Sequence, residues 1–346
     1  MSLPVILTFV NIEYNIEVLM DRIGGETMVL IADTRERLEM FEAVRDIAVL
    51  PGEFTAKTTK GLVYHYFQTI LPGGRTQIYV GPENAQTRQL IDARETGREH
   101  ALADKKMFQR LAAQIMAGGV IPILPEMARV ITRLTDCGVF RIGGVLVGTV
   151  AYQIIGTHLG VTWNGSSRIT QDIDLAVPYL TSDVPVAIDS LQMGFFPVPR
   201  LSQKEPFTHY AARGKALRID LLTPSRNGAA DPVFIRRLNA AATPLKYLEY
   251  LIEDPISAVM ISRTPCLVKV PQPARYALYK LIVSQERDTT CTDKKRNDLL
   301  QARNMIALLQ DDRPGDLELA KESLAKRGAS WLKMVEVACG QAGIDL

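Results

Sequence analysis

The stretch from Thr170 to Val177, TQDIDLAV, constrains this chain more than any other. In a strand, side chains alternate between faces, so Asp172 and Asp174 share one face while Ile173 and Leu175 point into a core on the other. Two neighbouring carboxylates on such a buried strand repel one another and resist ionisation unless a cation sits between them. Mg²⁺ suits the position, because it takes oxygen ligands from one or two carboxylates and completes its shell with phosphate oxygens and water.

The same style recurs at LRIDLLTP, where Asp220 interrupts a second apolar strand. If the two strands are neighbours, Asp220 faces the pair and completes a three-carboxylate, two-metal site. Such a site activates an incoming hydroxyl at one ion and stabilises leaving pyrophosphate at the other. Upstream, Gly148 and Thr149 stand at a strand-to-helix junction, where backbone N–H groups and the helix dipole hold phosphate. Each part alone has an ordinary reading: Asp-x-Asp as a solvated edge, Gly-Thr as a helix N-cap. Their order, strand, Gly-Thr, helix, Asp-x-Asp strand, Asp strand, favours a site.

At 346 residues the chain exceeds one compact core, so two or three packed units are expected. Apolar residues make up 47% and charged residues 23%, the composition of an ordinary globular protein rather than a largely disordered chain. Lys plus Arg number 40 against 38 Asp plus Glu, which argues against binding along extended duplex DNA, where a broad cationic excess is needed. The four cysteines, Cys137, Cys266, Cys291 and Cys339, form no CxxC or Cys/His cluster. No secretory signal or bilayer-spanning run is read, and a reducing cytoplasm is the expected setting.

Along the chain, a short apolar run at Met28–Ala32 precedes a helix over Arg35–Ile47. Two β-rich runs, Leu62–Ile70 and Thr76–Val80, flank Pro72-Gly73-Gly74 and predict a hairpin. Tyr64, Tyr66 and Phe67 there make either a ligand-stacking platform or the aromatic packing of a half-buried strand. Pro82–Met116 reads as one long helix or two, Pro125–Cys137 as another ended by Gly138, and Val139–Val147 as a strand. Then follow a helix from Thr149 to His158, a strand over Ile169–Val177, a helix over Ser182–Met193 and a strand pair ending in Ala216–Leu222. After a turn-rich boundary at Pro224–Pro232 the remainder is expected to be mostly helical.

The constellation Val147-Gly148-Thr149, Asp172, Asp174 and Asp220 resembles the DNA polymerase β-like nucleotidyltransferase superfamily. The resemblance looks closest to an uncharacterised bacterial family of standalone nucleotidyltransferase-fold proteins. In that family a Tyr-rich strand pair precedes the core and a helix of the form Pro-x-Pro-x-x-x-Ala-x-x-Lys-Leu follows it. Matching segments are GLVYHYFQ, IYVGPE, VGTVAY, TQDIDLAV, RIDLLTP, VPQPARYALYKLIVSQER and KKRNDLLQA, spread over about residues 61–302. Thr149 replaces the commoner Ser or Gly and keeps a hydroxyl. The gap from Gly148 to Asp172 is longer than usual, which implies an extra loop at Gly160–Arg168.

The resemblance implies an α+β fold: a polymerase β-like core, a mixed sheet flanked by helices, at 123–230. A small α/β unit with a hairpin at 1–82 and a helical linker at 83–122 precede it, and a mostly helical domain at 231–346 follows. It implies transfer of a nucleoside monophosphate from an NTP, with Mg²⁺ or Mn²⁺ held by Asp172, Asp174 and Asp220 as catalytic carboxylates, Asp220 also assisting deprotonation of the acceptor. Gly148 and Thr149 would hold the β- and γ-phosphates. Ser167, Arg168 and Thr170 lie near the carboxylate strand and are weaker candidates for binding the nucleotide's phosphates. Lys280 and Arg287, seven apart on one helix face, either meet the triphosphate or form ion pairs with Glu286, Asp293 and Asp298.

The four histidines, His65, His100, His158 and His209, have no sequence partner that suggests catalysis or metal binding. Between Ile261 and Arg303 there are nine Lys or Arg against four Asp or Glu, so the near-neutral chain contains a basic helical segment. That segment suits one triphosphate and a short stretch of RNA. The acceptor is left open among RNA, a small molecule and a protein hydroxyl. The alternative from another class is a non-catalytic binding or regulatory module of the same fold, within a toxin-antitoxin or defence system.

Overall fold

The computed structural model describes residues 20–43, 52–71, 74–136, 138–141, 143–163, 172–178, 195–197, 208–212, 217–226, 228, 230–235, 240–288 and 291–346. It divides into two compact units, one running from Asp21 to Gln272 and one holding Pro273–Leu346.

The larger unit begins with β1 (Met20–Arg22) and α1 (Gly25–Ala43). Met28, Ile31, Leu38 and Phe41 recur at helical spacing, so the apolar run expected as a separate element is the first part of α1, with Met28–Ala32 inside the helix. A meander follows: β2 (Glu53–Thr59), β3 (Leu62–Leu71) and β4 (Gly74–Pro82), antiparallel throughout. The expected hairpin is β3–β4. The additional strand β2 joins it through Lys60 and Gly61, both at positive φ (51° and 78°), the geometry of a tight hairpin turn.

The long helix is unbroken, α2 (Ala85–Ala117), started by Asn84, whose side chain accepts from the Thr87 N–H at 2.8 Å. Its C-terminal half packs against α1: Phe108 and Ile115 form one core with Ile31, Leu38, Val120, Val259 and Ile261. Nearer its start, the Arg94 guanidinium lies over Phe54 and Phe67 and donates to the Gly52 carbonyl, holding the meander. The first helix and the first strands therefore meet different parts of α2.

Next come α3 (Pro125–Asp136), β5 (Val145–Val147), α4 (Gly148–His158), β6 (Val161–Trp163) and β7 (Asp172–Ala176). The strand expected from Val139 is only β5, because described residues from Gly138 to Gly143 form turns, with Gly138 and Gly143 at positive φ. Then follow β8 (Phe195–Pro197), β9 (His209–Ala212), β10 (Arg218–Pro224), β11 (Val233–Ile235), β12 (Ala240–Leu245), α5 (Leu248–Ile252), β13 (Ile256–Met260) and β14 (Cys266–Val270). Residues 233–270 thus carry four strands where mostly helix is expected; these runs are short and apolar, and periodicity alone does not separate them from buried helix. The helix expected at Ser182–Met193 lies outside the described residues.

The main sheet is mixed. Its order is β11-β12-β10-β7-β5, with β9 also on β10 and β8 on β9. Parallel pairing joins β7 to β10 and β10 to β12, and β5 runs antiparallel on β7. One edge of β10 is shared: β9 pairs Arg218–Asp220 and β12 pairs Leu222–Pro224. Ile173, Leu175, Ile219 and Leu221 are fully buried, as is Leu146. Helix α4 buries Val150, Ala151, Tyr152, Ile154 and Ile155. Tyr152 stacks on Trp163, whose indole N–H donates to the Tyr152 carbonyl at 2.8 Å.

The second unit holds α6 (Pro273–Glu286), α7 (Thr292–Asp312), α8 (Pro314–Ala325) and α9 (Ala329–Ala342). Helix α6 packs on the other three, burying Tyr276, Leu278, Leu281 and Ile282 with Leu299, Met305, Ile306 and Leu309 of α7. The whole is an α+β protein with a mixed sheet, as expected from its sequence. Among the described residues no helix is long and apolar enough to cross a membrane.

Candidate active site

Register assembles the site. In the parallel pairing of β7 and β10, Asp174 stands opposite Asp220 and Asp172 opposite Arg218. Cross-strand partners project from the same face, so the three carboxylates and Arg218 stand together, with Ile173, Leu175, Ile219 and Leu221 behind them. Asp172 is exposed and Asp174 and Asp220 are half-buried, so the carboxylates line a surface open to solvent.

The strand-to-helix junction closes on the same carboxylates. Val147 of β5 pairs with Asp174, and the next residue, Gly148, turns at φ +70° into α4. A Cβ built on Gly148 would lie 2.9 Å from Asp174 Cγ and closer still to Oδ2, so any side chain here displaces the carboxylate. Glycine is required twice, by the left-handed backbone and by the approach to Asp174. Val147 is the N-cap of α4 and provides no side-chain hydrogen bond; Thr149 lies within the first turn and does not cap the helix. With no side-chain cap from Val147, the first turn suits an anion.

Two residues that the linear reading leaves unassigned join the site. His209 of β9 pairs with Asp220, and its Nδ1 lies 2.8 Å from Asp220 Oδ1. Nothing local in the sequence signals this, because His209 and Asp220 meet only through the register of β9 on β10. Arg218 was legible, since it sits two residues before Asp220 and alternation puts both on one face.

Lys280 and Arg287 lie in the helical unit, where both bind Asp298: Lys280 Nζ at 2.7 Å from Oδ1 and Arg287 Nε at 3.0 Å from Oδ2. Lys280 also lies over the Tyr276 ring. Arg168, Ser167 and Thr170 lie outside the described residues. In the meander, Tyr64 and Tyr66 pack against Tyr79, and Phe67 is buried against Phe54, the aromatic packing of a half-buried strand. Among the described residues no three His, Cys, Asp or Glu side chains gather into a ready-made metal cage. Mg²⁺ does not require one, as one or two carboxylates and substrate phosphates suffice, and three oxygen donors on one sheet face fit that chemistry.

A mixed sheet with carboxylates on adjacent strands and a glycine turn against one of them is the arrangement expected of a protein of the nucleotidyltransferase class. The sequence profile of a nucleotidyltransferase family matches residues 125–326, more than half of the chain, and the chain belongs to that family. It is in class an enzyme of nucleotidyl transfer. The match includes β5, α4, β7 and β10, and it reaches through α6 and α7 to the end of α8. Comparisons with curated proteins and with solved structures found no match.

Proposed function

We propose that this chain transfers a nucleoside monophosphate from an NTP to an acceptor hydroxyl or similar nucleophile, in a metal-dependent reaction that releases pyrophosphate. The observation that carries the reading is the register of Asp174 with Asp220, together with Gly148 against the Asp174 carboxylate. Asp172 and Asp174 hold two Mg²⁺ or Mn²⁺ ions in this reading, and Asp220 holds one. Bound there, the ions supply Lewis acidity to the phosphates and to the attacking oxygen.

The remaining work falls to the chain. The first turn of α4 receives β- and γ-phosphate oxygens through backbone N–H groups, and the Thr149 hydroxyl donates to one of them. Gly148 lets phosphate and Asp174 approach the same backbone. Arg218 adds positive charge on the carboxylate face. The acceptor oxygen attacks the α-phosphorus, the bond to the β-phosphate breaks, and the acceptor proton passes to Asp220 and on to water. The cysteines Cys266, Cys291 and Cys339, all unpaired, support a reducing cytoplasm as the setting.

The test uses the full chain with each of four [α-³²P]NTPs, Mg²⁺ and total cell extract. Label is expected to enter one of three pools, RNA, protein or small molecules, and to be absent with [γ-³²P]NTP. Loss of transfer in Asp172→Ala/Asp174→Ala completes the expected result. Transfer undiminished in that variant, or transfer of the γ-label, would contradict the proposal.

A further inference from the structure

We propose that His209 is a positioning residue for the third carboxylate, fixing Asp220 by a hydrogen bond from Nδ1–H to Oδ1. The inference rests on the reading of Asp220 as a ligand of the catalytic metal. Its basis lies in the ladder between β9 and β10. The Leu221 N–H donates to the Thr208 carbonyl at 3.1 Å, so Leu221 and Thr208 form a hydrogen-bonded pair. Pairs alternate along an antiparallel ladder, and the next one, Asp220 with His209, is of the non-hydrogen-bonded kind, in which facing side chains approach most closely. The backbone therefore brings imidazole to carboxylate, and the observed separation is 2.8 Å.

The direction of the bond follows from chemistry alone. An ionised carboxylate only accepts, so Nδ1 donates whether the ring is neutral or charged. A carboxylate on a short side chain turns about two bonds, and holding Oδ1 selects one orientation and leaves Oδ2 for a second partner. The Asp174 opposite on β7 has a different device, the Gly148 turn, which admits its carboxylate against backbone. The two carboxylates in register thus each meet a separate element, Asp220 the strand β9 and Asp174 the turn from β5 into α4.

The experiment titrates Mn²⁺ alone into the full-length protein and separates free from bound ion by electron paramagnetic resonance. Removing the hydrogen-bond partner of a metal-ligating group weakens metal binding by about 10- to 100-fold, so His209→Ala is expected at the lower end, with Asp220→Asn at least as weak. Asn places an amide N–H near the position of Nδ1, whereas Gln places it one carbon further out. His209→Asn is therefore expected to bind within about threefold of wild type, and His209→Gln to resemble His209→Ala. The Asn and Gln variants decide the matter even if His209→Ala fails to fold.

Wild-type affinity in His209→Ala with weakened Asp220→Asn, or equal weakening in the Asn and Gln variants, would overturn the positioning role while leaving the metal site standing. Absence of Mn²⁺ binding by wild type would instead remove the underlying metal reading, and the positioning role with it. The two failures are distinguished by the wild-type titration itself.

Discussion

The molecule treats its carboxylates in two opposite ways. In the helical unit one carboxylate, Asp298, meets two cations, Lys280 and Arg287, and its side chain is only 5% exposed. On the sheet of the larger unit three carboxylates share one face with Arg218 and His209, open to solvent. The first arrangement balances its charge within the fold and serves packing. The second concentrates negative charge where aliphatic residues of the same strands anchor it, which suits a cationic ligand rather than stability. Side chains of the same type therefore carry different work according to what the register or helix spacing sets beside them.

Breaking each arrangement should separate the two roles. The largest effect is expected from Asp172→Ala/Asp174→Ala, with nucleotidyl transfer falling on the order of 10³-fold or more, since each tenfold costs about 1.4 kcal/mol of transition-state stabilisation. Its melting temperature should match or exceed that of wild type, because like charges side by side are removed. Asp298→Ala should do the reverse. Leaving two cations without their carboxylate should cost about 3–5 kcal/mol, read by urea unfolding. A melting temperature within a degree of wild type would show that the Asp298 cluster does not stabilise the helical unit.

Gly148→Ala sharpens the comparison within the site. A left-handed backbone costs a non-glycine residue about 1–2 kcal/mol, and the added methyl collides with Asp174. Displacing a reacting group by about 1 Å can cost about 10²-fold in rate, so kcat should fall by that order while the protein remains folded by circular dichroism. Gly156→Ala, whose Cβ would meet the Trp163 indole, should destabilise by about 1–3 kcal/mol and leave KM for NTP unchanged.

The smallest effect concerns pH. Burial pushes the Cys266 thiol up from an ordinary value near 9 to about 12, and Cys339 to about 11. In the unfolded chain these thiols ionise first, so above pH 9 the unfolded state binds fewer protons than the folded one. Stability is therefore complete below pH 9 and is lost as pH rises towards about 12 for Cys266. Cys266→Ala should flatten the alkaline limb of a pH–stability profile by at most about 1.4 kcal/mol per pH unit. An unchanged slope would show that Cys266 is not buried in solution.

Much of this was legible in the chain. Asp172, Asp174 and Asp220 declare themselves by alternation with aliphatics, and Gly148 by its place before a helix. The proline-free run after Pro82 announces α2, and Pro72-Gly73-Gly74 announces the hairpin. What was not legible depends on register or on tertiary partners. His209 reaches Asp220 only because β9 pairs with β10. Strands β11 to β14 are short apolar runs whose form is decided by their neighbours. Met28 to Ala32 reads as an isolated run until the spacing of Ile31 and Leu38 against α2 extends the helix back over it.

The most direct test of the central claim, that the carboxylate face of β7 and β10 is the nucleotidyl-transfer centre, is a melting measurement with Mg²⁺ and each NTP in turn. Ligand at about 100 times its dissociation constant stabilises by about 2.7 kcal/mol, so at least one NTP with Mg²⁺ should raise the wild-type melting temperature by several degrees. Neither NTP nor Mg²⁺ alone should do so fully, and Asp172→Ala/Asp174→Ala should show no shift. An equal shift in the double variant, or none in wild type with any NTP, would contradict the account.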